Sequence, residues 1–164
     1  MNKWTEHDIL ANSIRLHYYR TGGEKPPVVL CHGFSDNGLC WTPLARELEA
    51  DYDVIMVDAR CHGKSEAPRD GNGTEAMADD LAGLITGLGL DRPAVVGHSM
   101  GARYATHFAS RYHDLTRGIA LEDAPWRDND PIEANLSAEE REALVRERGA
   151  DIVRRNRMTV EELV

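Results

Sequence analysis

Four short apolar runs, at 28–31, 53–57, 93–97 and 118–121, are separated by stretches that read as helix. Runs so short and so continuously apolar suit strands buried on both faces. Strands alternating with helices imply βαβ crossovers. The expected fold is therefore α/β: a doubly wound, mostly parallel sheet in a three-layer α/β/α stack. Between the runs, Thr42 is the expected N-cap of a helix with Pro43 at its first position and Leu44 and Leu48 one turn apart. Thr74 is expected to cap a longer helix that places Met77, Leu81, Leu84, Ile85 and Leu88 on one face, and a third helix is expected over 100–112. Upstream, 8–19 reads as one or two strands broken at Asn12-Ser13.

In such sheets ligands bind beyond the carboxyl ends of the strands. The loops that start at His32, Asp58, Gly97 and Glu122 are therefore the functional edge. One of them carries chemistry. Gly97-His98-Ser99-Met100-Gly101 is a G-x-S-x-G between an apolar strand and a helix. Its glycines permit a tight turn and close strand–helix packing, which expose the serine hydroxyl at the sheet edge. The backbone N–H of Met100, at the start of the helix, is placed to help stabilise an oxyanion.

Four motifs in order then carry a resemblance. Cys31-His32-Gly33-Phe34 follows the first buried strand, and Asp58-Ala59-Arg60-Cys61-His62-Gly63-Lys64-Ser65 follows the next. Gly97 to Gly101 comes third, and Leu121-Glu122-Asp123-Ala124-Pro125-Trp126 follows the fourth strand. Together they resemble the α/β-hydrolase superfamily, close to its single-domain esterase-like members, over about 4–126. The resemblance implies Ser99 as nucleophile and Phe34 as the second oxyanion N–H, opposite Met100. His32, Gly33, His98 and Trp126 become candidate substrate-side residues. Cys61 departs from the pattern by standing where a glycine is common, so a positive φ there would strain the loop. Serine where dehalogenase- and epoxide-hydrolase-type members carry Asp points to acyl transfer, the hydrolysis of a small carboxylic ester or thioester through an acyl-enzyme.

The superfamily order of partners is Ser, then Asp or Glu, then His. Here the last histidine is His113, and none follows it. Asp123 is the salvage candidate for the triad acid. His7 and His17, in the first strands, are expected far from the functional edge, and His107 and His113 on or near a helix running away from it. His32, His62 and His98 sit on loops where the superfamily uses them structurally. They match no zinc spacing, and neither a metal nor an organic cofactor is expected. Losing the triad His costs about 10⁶ in turnover, so the chain alone is expected to be inactive or weakly active. The alternative is a non-catalytic pseudo-enzyme or interaction module.

The net charge of -9 argues against a nucleic-acid partner. No run of about 20 apolar residues and no apolar leader is present, so neither a membrane nor secretion is expected. Three cysteines without a CxxC pair suit a cytoplasmic chain with free thiols. Residues 1–126 are expected to form an incomplete hydrolase core. Residues 127–164, rich in charge, resemble the start of a lid or cap. Ser137 with Glu140 and Thr159 with Glu162 form capping-box patterns, the second for a helix with barely one turn before Val164. That points to a truncated chain lacking the C-terminal strands. An open sheet edge would invite a homodimer or a complementing chain.

Overall fold

The computed structural model describes residues 4–124 and 137. Six strands form one mixed sheet: β1 (Thr5–Ala11), β2 (Ile14–Arg20), β3 (Pro27–Cys31), β4 (Asp53–Val57), β5 (Ala94–His98) and β6 (Gly118–Glu122). Three helices cross over between them, α1 (Thr42–Leu48), α2 (Thr74–Gly87) and α3 (Met100–Arg111). The strand order is β1-β2-β4-β3-β5-β6. β3 pairs in parallel with β4 and β5, and β5 with β6, while β1 and β2 pair antiparallel.

The runs at 28–31 and 53–57 become strands buried on both faces because helices cover them from both sides; β5 is only partly buried, and β6 corrects the expectation, its residues exposed or half-buried because it pairs with β5 alone among the described residues. Val29, Leu30, Cys31, Val54, Ile55 and Met56 are wholly buried. Met77, Leu81, Leu84 and Ile85 of α2 and Tyr104, Ala105 and Phe108 of α3 pack on one sheet face. Ala45 of α1, with Leu44 and Leu48 half-buried beside it, packs on the other. The β1–β2 hairpin turns through Asn12 and Ser13 at φ 47° and 65°, the two positive φ values of a type I′ turn.

Both expected threonine caps are corrected. The Thr42 hydroxyl donates backwards to Leu39 O at 2.7 Å, because a 3-10 turn over Gly38–Trp41 already precedes the helix. Asn37 caps that turn through its side chain, and Trp41 occupies the α1 cap position. Gly73, in extended conformation, precedes α2 with no side-chain cap.

A buried ion pair ties the second crossover to the hairpin. Arg60 donates to both oxygens of Asp80 at 2.6 Å, and both side chains are 5% exposed. Asn12 adds a donor to the same carboxylate at 2.9 Å. Removing one member of such a pair strands a buried charge, at about 3–5 kcal/mol.

From β3 the chain crosses to β4 on one side, and then returns past β3 to β5 on the other. The loops after β3 and β5 therefore diverge, and a crevice opens between them at the carboxyl edge. β6 is an edge strand among the described residues, paired with β5 alone. No helix among them is long and apolar enough to cross a membrane. The expected helix from Ser137, the capping pattern at Thr159, Trp126 and the 127–164 segment lie outside the described residues, apart from Ser137 itself, which is exposed.

Candidate active site

Ser99 is the single residue between β5 and α3. Its φ of 49° and ψ of -111° are sparsely populated for a non-glycine residue, a conformation costing about 1–3 kcal/mol that the surroundings must impose. They do so through two glycines. A Cβ on Gly97 would lie 2.5 Å from Gly101 O, and one on Gly101 would lie 2.1 Å from Cys31 O. Helix and strands thus meet backbone to backbone. The Ser99 N–H donates to Glu122 O at 3.0 Å, and its carbonyl accepts from Arg103 N at 3.1 Å. The residue is half-buried, within reach of a ligand. Met100 opens α3, whose first N–H groups have no partner within the helix.

The loop after β3 is held from behind. Ala59 N donates to His32 Nε2 at 3.0 Å, so Nδ1 carries the ring proton and donates it to Gly33 O at 2.7 Å. Asp36 N donates to the same carbonyl at 3.2 Å. Gly33 O and Phe34 N belong to one planar trans peptide, so a carbonyl fixed on one side fixes the N–H on the other. His32 is wholly buried with both nitrogens engaged, which places it behind the crevice and out of reach of a substrate. Gly33 is buried too, and a Cβ on it would meet His98 Nδ1 at 2.8 Å and Asp36 Oδ2 at 3.2 Å. The His98 ring is therefore turned onto this loop. Phe34 is 44% exposed.

Asp58, read in the sequence only as the start of a motif, organises the edge. Its wholly buried carboxylate accepts from Gly38 N at 2.7 Å and Lys64 N at 2.8 Å, joining the loops after β3 and β4. Burial pushes its carboxyl above the usual range, while the two N–H donors pull it down. Gly63, at φ 53°, leaves room for it, since a Cβ there would lie 2.1 Å from Asp58 Oδ2. A buried acid two loops wide has one visible signal, the glycine five residues on.

Cys61 sits at φ 64°, as its departure from glycine led one to expect. A non-glycine residue in this region costs about 1–2 kcal/mol, of which a glycine gives back about 0.5–1 as backbone entropy. Cys61→Gly is therefore expected to stabilise the chain by about 0.5 kcal/mol, read as a higher urea midpoint with an unchanged slope.

Asp123 follows Glu122, whose carbonyl holds the Ser99 N–H, so it stands one peptide from the nucleophile's backbone. It is exposed, at φ 46°. His17 corrects an expectation. Because β2 runs antiparallel, His17 O accepts from Asp58 N at 2.9 Å, at the functional edge rather than far from it. Three strand spacings still separate β2 from β5, about 14 Å. Among the described residues, which include all seven histidines, no histidine bonds the Ser99 hydroxyl, and no group of His, Cys, Asp and Glu could hold a metal.

Burial pushes the His32 ring down from its ordinary 6.5 to about 3. A folded value below the unfolded one means stability present above pH 6.5 and lost as pH falls toward about 3. Asp58, raised, acts with the opposite sign at the more acid end. Urea stability is therefore expected to start falling just below pH 6.5, with a slope approaching 1.4 kcal/mol per unit. His32→Asn should flatten that slope.

The family model for the alpha/beta hydrolase fold matches residues 26–151. A 2-(acetamidomethylene)succinate hydrolase of Mesorhizobium japonicum is 35% identical over 116 residues, 70% of this chain and 42% of that protein. A soluble epoxide hydrolase of a Corynebacterium species is 34% identical over 119 residues, 73% of this chain and 41% of that protein. The solved structure of a thermophilic esterase from Thermogutta terrifontis is 34% identical, with a TM-score of 0.71 over 78% of this chain and 48% of that one. The chain thus spans less than half the length of these relatives.

Proposed function

Since the chain belongs to the alpha/beta hydrolase fold family, we propose that Ser99 is the nucleophile of an acyl-transfer site for small carboxylic esters or thioesters. Ser99 Oγ attacks the acyl carbon, and the N–H groups of Phe34 and Met100 take the developing oxyanion. The alcohol or thiol leaves with a proton, and water then cleaves the acyl-enzyme. Asp123 is the candidate acid. The observation that carries this reading is the strained backbone of Ser99 at the strand–helix junction; such strain clusters at active sites.

The nucleophile's chemistry selects among the relatives' activities. A serine that opened an epoxide would form an alkyl ether, which water does not cleave; an acyl-serine is cleaved. Acyl substrates therefore fit Ser99, in keeping with the similarity to the Thermogutta esterase. Residues 1–126 are read as the hydrolase core and 127–164 as the start of a lid. The three free thiols suit a reducing, cytoplasmic setting.

With no histidine on Ser99 among the described residues, the 164-residue chain is expected to hydrolyse a short-chain p-nitrophenyl ester no faster than Ser99→Ala, within a few-fold. Turnover that vanishes in Ser99→Ala would mean a base is present. The absence of that histidine also favours a second reading, an interaction module pairing through β6, an edge strand among the described residues, with another copy or a complementing chain. Gel filtration at the mass of a monomer would remove pairing with another copy.

A further inference from the structure

His62 has no part in the scheme above, yet it reaches into the oxyanion loop. It is 4% exposed. Its Nδ1 lies 2.8 Å from Arg60 O, in its own loop, and its Nε2 lies 2.8 Å from Phe34 O, in the loop after β3. Its ring meets the Phe34 ring edge-on at 5.9 Å and lies 5.1 Å from the His32 ring. One side chain thus grips Phe34 by both its carbonyl and its ring, while His32 fixes the peptide on the other side of the same residue.

We propose that His62 is a positioning residue for the oxyanion loop, clamping the Phe34 carbonyl to the loop after β4 through its two ring nitrogens. The role rests on the reading of Phe34 as an oxyanion donor; the clamp itself does not. A carbonyl oxygen only accepts, so both contacts are hydrogen bonds only when each ring nitrogen carries a proton. With one proton gone, a lone pair faces one of the two oxygens and the grip loosens.

The charged and titratable groups around the ring are engaged elsewhere or kept neutral. His32 is kept neutral by burial. The Arg60 guanidinium is turned to Asp80 and Gly71 O. The Asp58 carboxylate is taken by Gly38 and Lys64 N–H groups, and burial keeps the Cys61 thiol protonated. The Lys64 ammonium is paired with Glu6.

The test is nitrogen-15 NMR of the histidine rings and of the Phe34 and Ser35 amides, across roughly pH 5.5 to 9. It uses the 164-residue chain and its His62→Gln variant. The expected result is two protonated His62 nitrogens at the acid end and one bare nitrogen at the other. The Phe34 and Ser35 signals should move along the same curve, and that movement should be lost in His62→Gln, whose amide has no proton to lose. One bare nitrogen throughout, or amide signals that titrate equally in His62→Gln, would overturn the clamp. Should His62→Gln fail to fold, the wild-type ring and amide curves decide alone. Labelling of Ser99 by a neutral p-nitrophenyl phosphonate, with imidazole supplied as the base, separates the two proposals. It should slow about tenfold in His62→Gln, less than the loss of a whole oxyanion donor. No labelling in either protein, with the NMR curves as expected, counts against the Ser99 reading and leaves the clamp standing.

Discussion

Gly101→Ala is expected to destabilise the chain by at least about 3 kcal/mol, a large share of a total stability in the common range of about 5–15 kcal/mol. On helix propensity alone the change should help by about 1 kcal/mol. Sterics reverse the sign. The new Cβ would lie 2.1 Å from Cys31 O, 2.6 Å from Cys31 C and 2.8 Å from His32 O. All three are backbone atoms at the end of β3, and none can swing away as a side chain would. Relief requires α3 to lift from β3, which loosens the packing of Tyr104, Ala105 and Phe108 and adds to the usual overpacking penalty of about 1–3 kcal/mol. Gly118→Ala is the control, because nothing lies within 4 Å of its Cβ position. Urea unfolding of both variants decides the matter, and a Gly101→Ala midpoint equal to that of Gly118→Ala would refute the close-approach argument.

The second large effect is catalytic. Ester turnover by this chain is expected to fall about 10⁶ below that of a complete triad enzyme, since losing the histidine costs about as much as losing the triad. Each histidine is excluded by its own geometry. His32 and His62 spend both nitrogens on backbone groups. The His98 ring is turned onto Gly33, and His17 is paired with Asp8 at 2.7 Å across the sheet. His7 lies on β1, farther out still. His107 is exposed, about 12 Å along α3 from Ser99, and His113 is exposed beyond the helix, beside Asp114. Oxyanion donors and binding alone would leave a residual rate of about 10³–10⁴ over water.

The strands were legible because β3 and β4 are buried on both faces. The run at 53–57 became β4 at those bounds, and the stripe from Met77 to Ile85 became the buried face of α2. Ser99 was legible because its glycines are required by contacts that any such turn makes. The caps were not: whether Thr42 caps a helix depends on what precedes it, and a 3-10 turn there sends its hydroxyl backwards. The location of His17 was hidden for a similar reason. Apolar periodicity does not reveal strand direction, and only the antiparallel pairing of β2 with β4 brings His17 to Asp58. Asp58 and His62 were visible as residues of a motif, but their partners, Gly38 and Phe34, belong to a different loop.

The most direct test of Ser99 as a nucleophile without a base is to supply the base. Hydrolysis of a short-chain p-nitrophenyl ester should be measured against added imidazole, for the 164-residue chain and for Ser99→Ala. The expected result is a saturable imidazole-dependent rate in the wild-type chain above that of Ser99→Ala, with both near background when imidazole is absent. Equal rates in the two proteins at every imidazole concentration would contradict Ser99 as the nucleophile. Wild-type turnover at zero imidazole that disappears in Ser99→Ala would contradict the missing base.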